Sequence, residues 1–391
     1  MEQERKAMPL TVRIVSYVLV AVIAFAFGGK FCAGEVAGSE KLAELAELLE
    51  EKFIGQADPV AMEDGAAAGM VAALGDQWSY YIPASQFDAY VEQMENAYLG
   101  IGVTISTEDV VEGFQILQVE PTGGAQEAGV LPGDILIRVD GQSVIDLGLD
   151  EAKNRIRGEE GTQVTVTVLR DDRELDFTIT RKLIQVEVAS AQMLEGKVGL
   201  VTIANFDDRC ASETIAAIES LLEQGARALI FDVRNNPGGY KHELVQVLDY
   251  LLPEGDLFRS VSYTGAEEVD RSDADCLELP MAVLVNENSY SAAEFFAAAL
   301  EEYNWAVTVG DPTVGKSYYQ QTMVLSDGSA VGLSVGKYCT PNGVSLAEVG
   351  GLVPEILVEV DQELAANIYA GLVEPQDDPQ IQAALEALPL G

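Results

Sequence analysis

The sequence predicts an α+β multidomain chain, and three shifts in its hydrophobic pattern are the basis for that. Helix-period apolar spacing fills residues 39–96, and two-residue alternation then takes over to about residue 182. From Val198, short apolar strands alternate with helical stretches, as β–α units around a covered sheet do. At 391 residues there is room for two or three domains of roughly 100–200 residues each. Composition narrows the function classes. Lys and Arg total 23 against 64 Asp and Glu, a net charge of −41 that repels phosphate backbones, so no nucleic-acid partner is expected. One His and four Cys without CxxC spacing give no reason to expect a metal or cofactor site.

Taken in order, the N-terminus comes first. Between Arg13 and Lys30 lie 16 uncharged residues, IVSYVLVAVIAFAFGG. At 1.5 Å per residue they reach about 24 Å, and flanking residues extend this toward a bilayer core of about 30 Å. Arg5, Lys6 and Arg13 precede the run, which orients the remaining chain outside the cytoplasm. Residues 1–38 are therefore expected to be a cytoplasmic tail and signal-anchor, placing a single-pass protein in the cell membrane. Signal cleavage and secretion is the alternative. Residues 39–96 read as a helical segment whose apolar faces need a partner, interrupted by DQWSYY at 76–81. Residues 97–182 carry short strands and one helical stretch, LDEAKNRIRG, and read as a small β-domain. Residues 183–360 read as an α/β core with strands VGLVTI, ALIFDV, MAVLV and WAVTV, helices near 211–224, 240–252 and 291–303, and a hairpin at 320–340. A helical segment closes residues 361–391.

Several motifs carry chemistry. Gly310–Ser317, GDPTVGKS, matches every fixed position of a phosphate loop, which would imply an ATPase. A phosphate loop needs a helix straight after Lys-Ser, whereas SYYQQTMVLSDG is rich in strand formers. In NENSYSAAEFF a strand gives way to a helix near Ser291, a turn that can expose a nucleophilic hydroxyl at a helix N-terminus; an ordinary N-cap at Ser289 or Ser291 is the plainer reading. A base for that serine would be His242, the sole histidine, or a buried neutral lysine such as Lys316. DVRNNPGG offers two glycine amides, able to hold an oxyanion or merely to form a turn. YLGIGV, at 98–103, suits capture of a terminal carboxylate, with a strand beyond it for peptide addition and LDEAKNRI along the groove.

Together and in this order, these segments resemble the C-terminal processing peptidases, also called tail-specific proteases, which are serine peptidases with an inserted PDZ domain. LGDQWSYYIPASQF is similar to the family's LxDPYSxY segment. YLGIGV with PTGGAQEAGVLPGDILIRVDGQSV is similar to its PDZ core, and DVRNNPGG, NENSYSAAE, TVGKSYYQ and GLVPEI follow, covering roughly residues 65–358. The resemblance implies a PDZ domain at 97–182 inserted in an α/β protease core. It implies Ser291 as nucleophile, Lys316 as base and Gln320 as the residue orienting it. Gly238, Gly239 and the Ala292 amide would form the oxyanion hole. Gly100, Ile101, Gly102, Ala152, Ile156 and Arg157 would bind the peptide, Arg157 also touching the core. It further implies unfolded or tail-exposed protein substrates, dimerisation through the terminal helices, and no cofactor. A catalytically inert PDZ adaptor is the rival from another class. Two stretches depart from the family pattern: Tyr290 and Ala293 around the serine, and Gln77 and Trp78 in the LxDPYSxY segment.

Overall fold

The computed structural model describes residues 39–106 and 113–389. The expected signal-anchor lies outside these residues. Among the described residues no helix is long and apolar enough to cross a membrane. The described residues fall into two compact units, divided between Met70 and Val71. Helix α1 (Ser39–Lys52) belongs to the first, with most of α2 (Pro59–Ala72). The leucines that give α1 its helix-period spacing, Leu42, Leu45, Leu48 and Leu49, stay exposed.

Early in the second unit the end of DQWSYY enters a short strand, β1 (Tyr80–Ile82), followed by α3 (Ala84–Met94). The small β-domain then hangs from a two-stranded stem of β2 (Ala97–Gly100) and β9 (Lys182–Gln185), paired antiparallel from Ala97↔Gln185 to Gly100↔Lys182. Arg209 grips both sides of that stem, donating to Glu95 O and Val186 O. Beyond the stem, β3 (Val103–Ser106), β4 (Phe114–Val119), β5 (Ile135–Val139), β7 (Gln163–Arg170) and β8 (Arg173–Thr180) form one antiparallel sheet, with the two-residue β6 (Gln142–Ser143) beside β5. Strand β3 is an edge of that sheet. Three helices, α4 (Gly124–Ala128), α5 (Val144–Leu147) and α6 (Leu149–Ile156), cover a core that includes Ile116, Leu136, Val168 and Ile179.

The core sheet runs β10 (Ala189–Leu194), β11 (Val198–Ile203), β12 (Ala228–Asp232), β15 (Met281–Val285), β16 (Ala306–Gly310) and β19 (Ile356–Leu357). From β11 onward all pairs are parallel, which explains the unbroken apolar runs: both faces are covered. Helices α7 (Cys210–Glu223) and α8 (Lys241–Leu251) pack with one face in a shared apolar core, and α9 (Ala292–Glu302) is buried in it along nearly its whole length. Ile381 and Ala384 of α12 (Pro379–Ala387) join Ile230, Leu284 and Val309 in a second apolar cluster. A separate antiparallel sheet holds β1, β13 (Gly255–Ser262), β14 (Glu267–Ser272), β17 (Tyr318–Val324) and β18 (Ala330–Cys339). The β17–β18 hairpin matches the expected one. The β13–β14 hairpin was not legible, because EEVDRS alternates no apolar residues. Between β18 and β19 lies the short α10 (Leu346–Val349), and α11 (Gln362–Tyr369) precedes α12.

One ion cluster fixes the C-terminal end to the sheet. The Arg234 guanidinium is nearly buried and donates to both Asp232 oxygens at 2.6 and 2.9 Å, to Asp378 at 2.8 Å and to Gln380 at 2.8 Å. Asp378 in turn caps α12, accepting from the Gln380 and Ile381 amides. Removing only the cation would strand the buried Asp378 carboxylate and the partly buried one of Asp232, a change that costs about 3–5 kcal/mol. Arg234→Leu is expected to lower stability by about that amount, read as a lower urea midpoint with early loss of α12 protection in hydrogen exchange.

Candidate active site

Neighbouring parallel strands bring together motifs far apart in sequence. Strands β12, β15 and β16 lie side by side, in register from Asp232↔Leu284 to Val285↔Gly310. Their carboxyl ends therefore project DVRNNPGG, NENSYS and DPTVGKS from one sheet edge, the usual place for a site in an open parallel sheet. Ser291 is the N-cap of α9, with φ 57° and ψ −125°, backbone values a non-glycine residue rarely adopts. What holds it there is α9, buried from Ala292 to Leu300. Phe296 meets Phe231 edge-on at 5.3 Å and Phe295 meets Phe258 at 5.1 Å, so the helix is locked on both sides. Ser289 is the structural serine. Its fully buried hydroxyl donates to Val233 O at 2.7 Å and accepts from the Asn286 amide.

The Glu294 carboxylate ties the serine to the lysine loop. It is fully buried, and Oε2 accepts from the amides of Ser291 at 2.9 Å and Lys316 at 2.8 Å. Oε1 accepts from the Gly315 amide and the Thr313 hydroxyl, both at 2.5 Å. Burial pushes this carboxyl above its ordinary range, and the four hydrogen bonds hold part of that rise back. No role was assigned to Glu294 from sequence, although the S-x-x-E spacing of a capping box was there to be read.

Lys316 reaches between two rings. Its Nζ sits 4.9 Å from the Trp78 ring centre and 5.8 Å from that of Tyr290. Burial pushes its proton affinity below the ordinary lysine range, against the opposing pull of Glu294 and Asp76. Among the described residues no hydrogen bond joins the Ser291 and Lys316 side chains; their link is the Glu294 bridge between their backbones. Gln320, expected to orient the lysine, makes no hydrogen bond to Lys316 among the described residues; its amide nitrogen donates to Tyr318 O and Ser334 Oγ, so it braces the β17–β18 hairpin instead. DQWSYY joins the same neighbourhood. Burial raises the Asp76 carboxyl, but hydrogen bonds from Ser334, Ser79 and Trp78 outweigh it and hold it below its usual value.

The glycine turn abuts the serine. A Cβ on Gly238 would lie 2.8 Å from Ser291 Cβ, and one on Gly239 would lie 2.3 Å from the Phe206 carbonyl carbon; both residues have positive φ. Only glycine fits either position. The Gly238 amide differs from the unpaired donor expected: it donates to Asn236 Oδ1 at 2.8 Å. Asn236, fully buried, also donates to Ile203 O and accepts from the Tyr290 amide, pinning the turn against the serine segment. Beneath the turn lies Asp207, 5% exposed, whose Oδ1 has no partner among the described residues. Burial, with help from Asp208 and Glu243, pushes its carboxyl up to about 7.

Residues 197–358 match the sequence pattern of peptidase family S41, and residues 115–170 match that of the PDZ domain. The carboxy-terminal processing protease CtpA of Bacillus subtilis (strain 168) is 31% identical over 360 residues, covering 89% of this chain and 76% of that protein. The chain belongs to peptidase family S41. A CtpA-like serine protease of Staphylococcus aureus (strain MSSA476) is 29% identical, covering 90% of this chain and 71% of that one. Among solved structures, the photosystem II D1 C-terminal processing protease is 26% identical with a TM-score of 0.47, over 81% of this chain and 86% of the other. An S41 protease of Bacteroides fragilis NCTC 9343 gives a TM-score of 0.50 at 16% identity, over 81% and 91% of the two chains, and shares the fold. The protein is thus a serine-type C-terminal processing peptidase with a PDZ domain.

The ATPase alternative fails on the same geometry. Strand β17, not a helix, follows Ser317. The Gly315 and Lys316 amides that would cradle phosphate already donate to Glu294, and the Ser317 hydroxyl accepts from the Ala347 amide. His242 stands exposed on α8, stacked on Tyr240 at 5.3 Å and 3.3 Å from Glu243. In the S41 peptidase's PDZ domain, a cavity of about 150 Å³ lies between edge strand β3 and α6, lined by Gly100, Ile101, Gly102, Ile156 and Arg157 among others. Ala152 is not part of that lining; it is fully buried in the domain core, on the inward side of α6. Arg157 pairs with Glu92 of α3 at 2.7 Å. Arg181, missed in the sequence, closes the end of α6 by donating to Arg155 O and Ile156 O. Its position after a strand gave no signal of that role.

In Glu294→Gln one oxygen becomes an NH2 group that faces N–H donors. Leaving buried donors unpaired costs about 1–3 kcal/mol, so kcat/KM is expected to fall about 10- to 100-fold. Steady-state cleavage kinetics beside a thermal melt check this, and a melt near wild type with unchanged kcat/KM would remove the bridge from the site.

Proposed function

We propose that this S41 peptidase is a membrane-anchored endopeptidase acting outside the cytoplasm, with Ser291 and Lys316 as its dyad, on proteins presenting an apolar C-terminal tail. The observation that carries the reading is the Glu294 carboxylate, which binds the backbone of both residues. A tail enters the PDZ groove by adding a strand to β3, its terminal carboxylate meeting the Gly100–Gly102 turn. Neutral Lys316 takes the Ser291 hydroxyl proton as Oγ attacks the scissile carbonyl carbon, and the Gly239 and Ala292 amides hold the resulting oxyanion. The ammonium passes its proton to the leaving amine, water then hydrolyses the acyl-enzyme, and Lys316 is restored. Gln320 stiffens the strand after the lysine. The apolar run at 14–29 is the membrane anchor, and exposed faces such as that of α1 serve dimerisation. No metal, nucleotide or nucleic acid enters the cycle.

Ser291→Ala and Lys316→Ala are expected to abolish cleavage of an unfolded protein with an apolar tail, while His242→Ala retains most of it. Because burial depresses the lysine, activity should rise with pH until the amine is neutral and then level off. Equal loss in the His242 and Lys316 variants, with folding intact, would overturn the dyad.

A charged acceptor binds amides roughly twice as strongly as a neutral one. A substrate with an amidated C-terminus should therefore be cleaved more slowly than its free-acid twin. Equal rates on the two tails would sink the capture step.

A further inference from the structure

Two positions where this chain departs from the family pattern, Trp78 and Tyr290, meet in space. They are 212 residues apart (290 − 78), and their ring centres lie 6.2 Å apart. Both rings face the Lys316 Nζ, at 4.9 and 5.8 Å. Each ring stands on fixed backbone. The Trp78 amide donates to Asp76 Oδ1, and the Tyr290 amide donates to Asn236 O.

The charged groups that face Lys316 are Glu294 from α9 and Asp76 from the segment before β1. Both are already occupied: Glu294 by four donors, and Asp76 by the Ser79 hydroxyl and the Trp78 amide. Among the described residues the Lys316 head group makes no hydrogen bond and no ion pair. A half-buried ammonium with three donors and no free acceptor has its electron-rich surroundings in the two ring faces. We propose that Trp78 and Tyr290 are positioning residues of the reaction: their ring faces cradle the Lys316 head group and favour its ammonium over its amine. The cradle opposes burial, which favours the amine, and so sets the pH at which the base becomes available.

The proposal rests on the reading of Lys316 as base, but its sign can be tested apart from that reading. Replacing a ring by an aliphatic chain removes the π face, and the amine should then lose its proton more easily. If the rings only exclude water, the same change admits water and moves the lysine the other way. For Trp78→Leu and Tyr290→Leu the acid limb of the kcat/KM profile is expected to move to lower pH by about half to one unit, while Trp78→Phe and Tyr290→Phe stay near wild type. A second measurement needs no activity: titration of the Lys316 side-chain carbon by NMR in full-length protein carrying Ser291→Ala, the signal assigned by its loss in Lys316→Arg. The midpoint should fall in the Leu variants and not in the Phe variants. A midpoint that stays put or rises in folded Leu variants overturns the cradle. Retained cleavage by Lys316→Ala would instead overturn the dyad, with the NMR titration still deciding the cradle.

Discussion

The Glu294 carboxylate is the constraint on which the site depends. An ionised carboxylate taken from water into a protein interior costs several kcal/mol unless its lone pairs are filled. Here four donors fill them, and the donors come from two segments far apart in sequence, the Ser291 turn and the 313–316 loop. The serine stands at the very start of α9, and the 313–316 loop has no regular structure of its own to fix it. The Ser291 backbone sits in a sparsely populated region, and Gly315 has φ 84° with no room for a side chain against Gly351 and Leu346. One buried charge over-determines both, which is the condition under which local strain persists.

Asp207 shows the contrast. It too is buried and its carboxyl is likewise raised, yet one oxygen has no partner among the described residues. Glu294 binds its surroundings together, whereas Asp207 sits under the glycine turn with Oδ1 unsatisfied among the described residues. Two carboxylates with shifts in the same direction thus do different things, and only the hydrogen-bond partners tell them apart.

How much of this was legible in the sequence depended on the range of the signal. The core strands and their helices were readable because buried parallel strands announce themselves as apolar runs, such as MAVLV at 281–285. The motifs were readable because turn chemistry is local: Gly238 and Gly239 are required by contacts with Ser291 and Phe206 that no other residue tolerates. Long-range partners were not. Nothing near Asp232–Arg234 announces Asp378, and nothing near Lys316 announces Trp78, since each pair meets only once the sheets assemble. Ala152 was misplaced for a similar reason. Helix α6 has two faces, and spacing alone does not say which one meets the groove and which the core. The Gly238 amide was misjudged because its acceptor, Asn236, is a side chain two residues away whose direction the turn decides.

The stem of the PDZ domain has a consequence for how such a chain can change over time. Strands β2 and β9 run antiparallel side by side, with Gly100 opposite Lys182 and Arg209 clasping both flanks. Opposed residues in an antiparallel pair lie only about 5 Å apart, a gap that a two-residue turn closes. The entire PDZ domain could be excised at that point, or exchanged for another, without altering the path of the core on either side. The PDZ domain and the peptidase core are therefore separately replaceable parts of one gene product, joined at a socket a few residues wide.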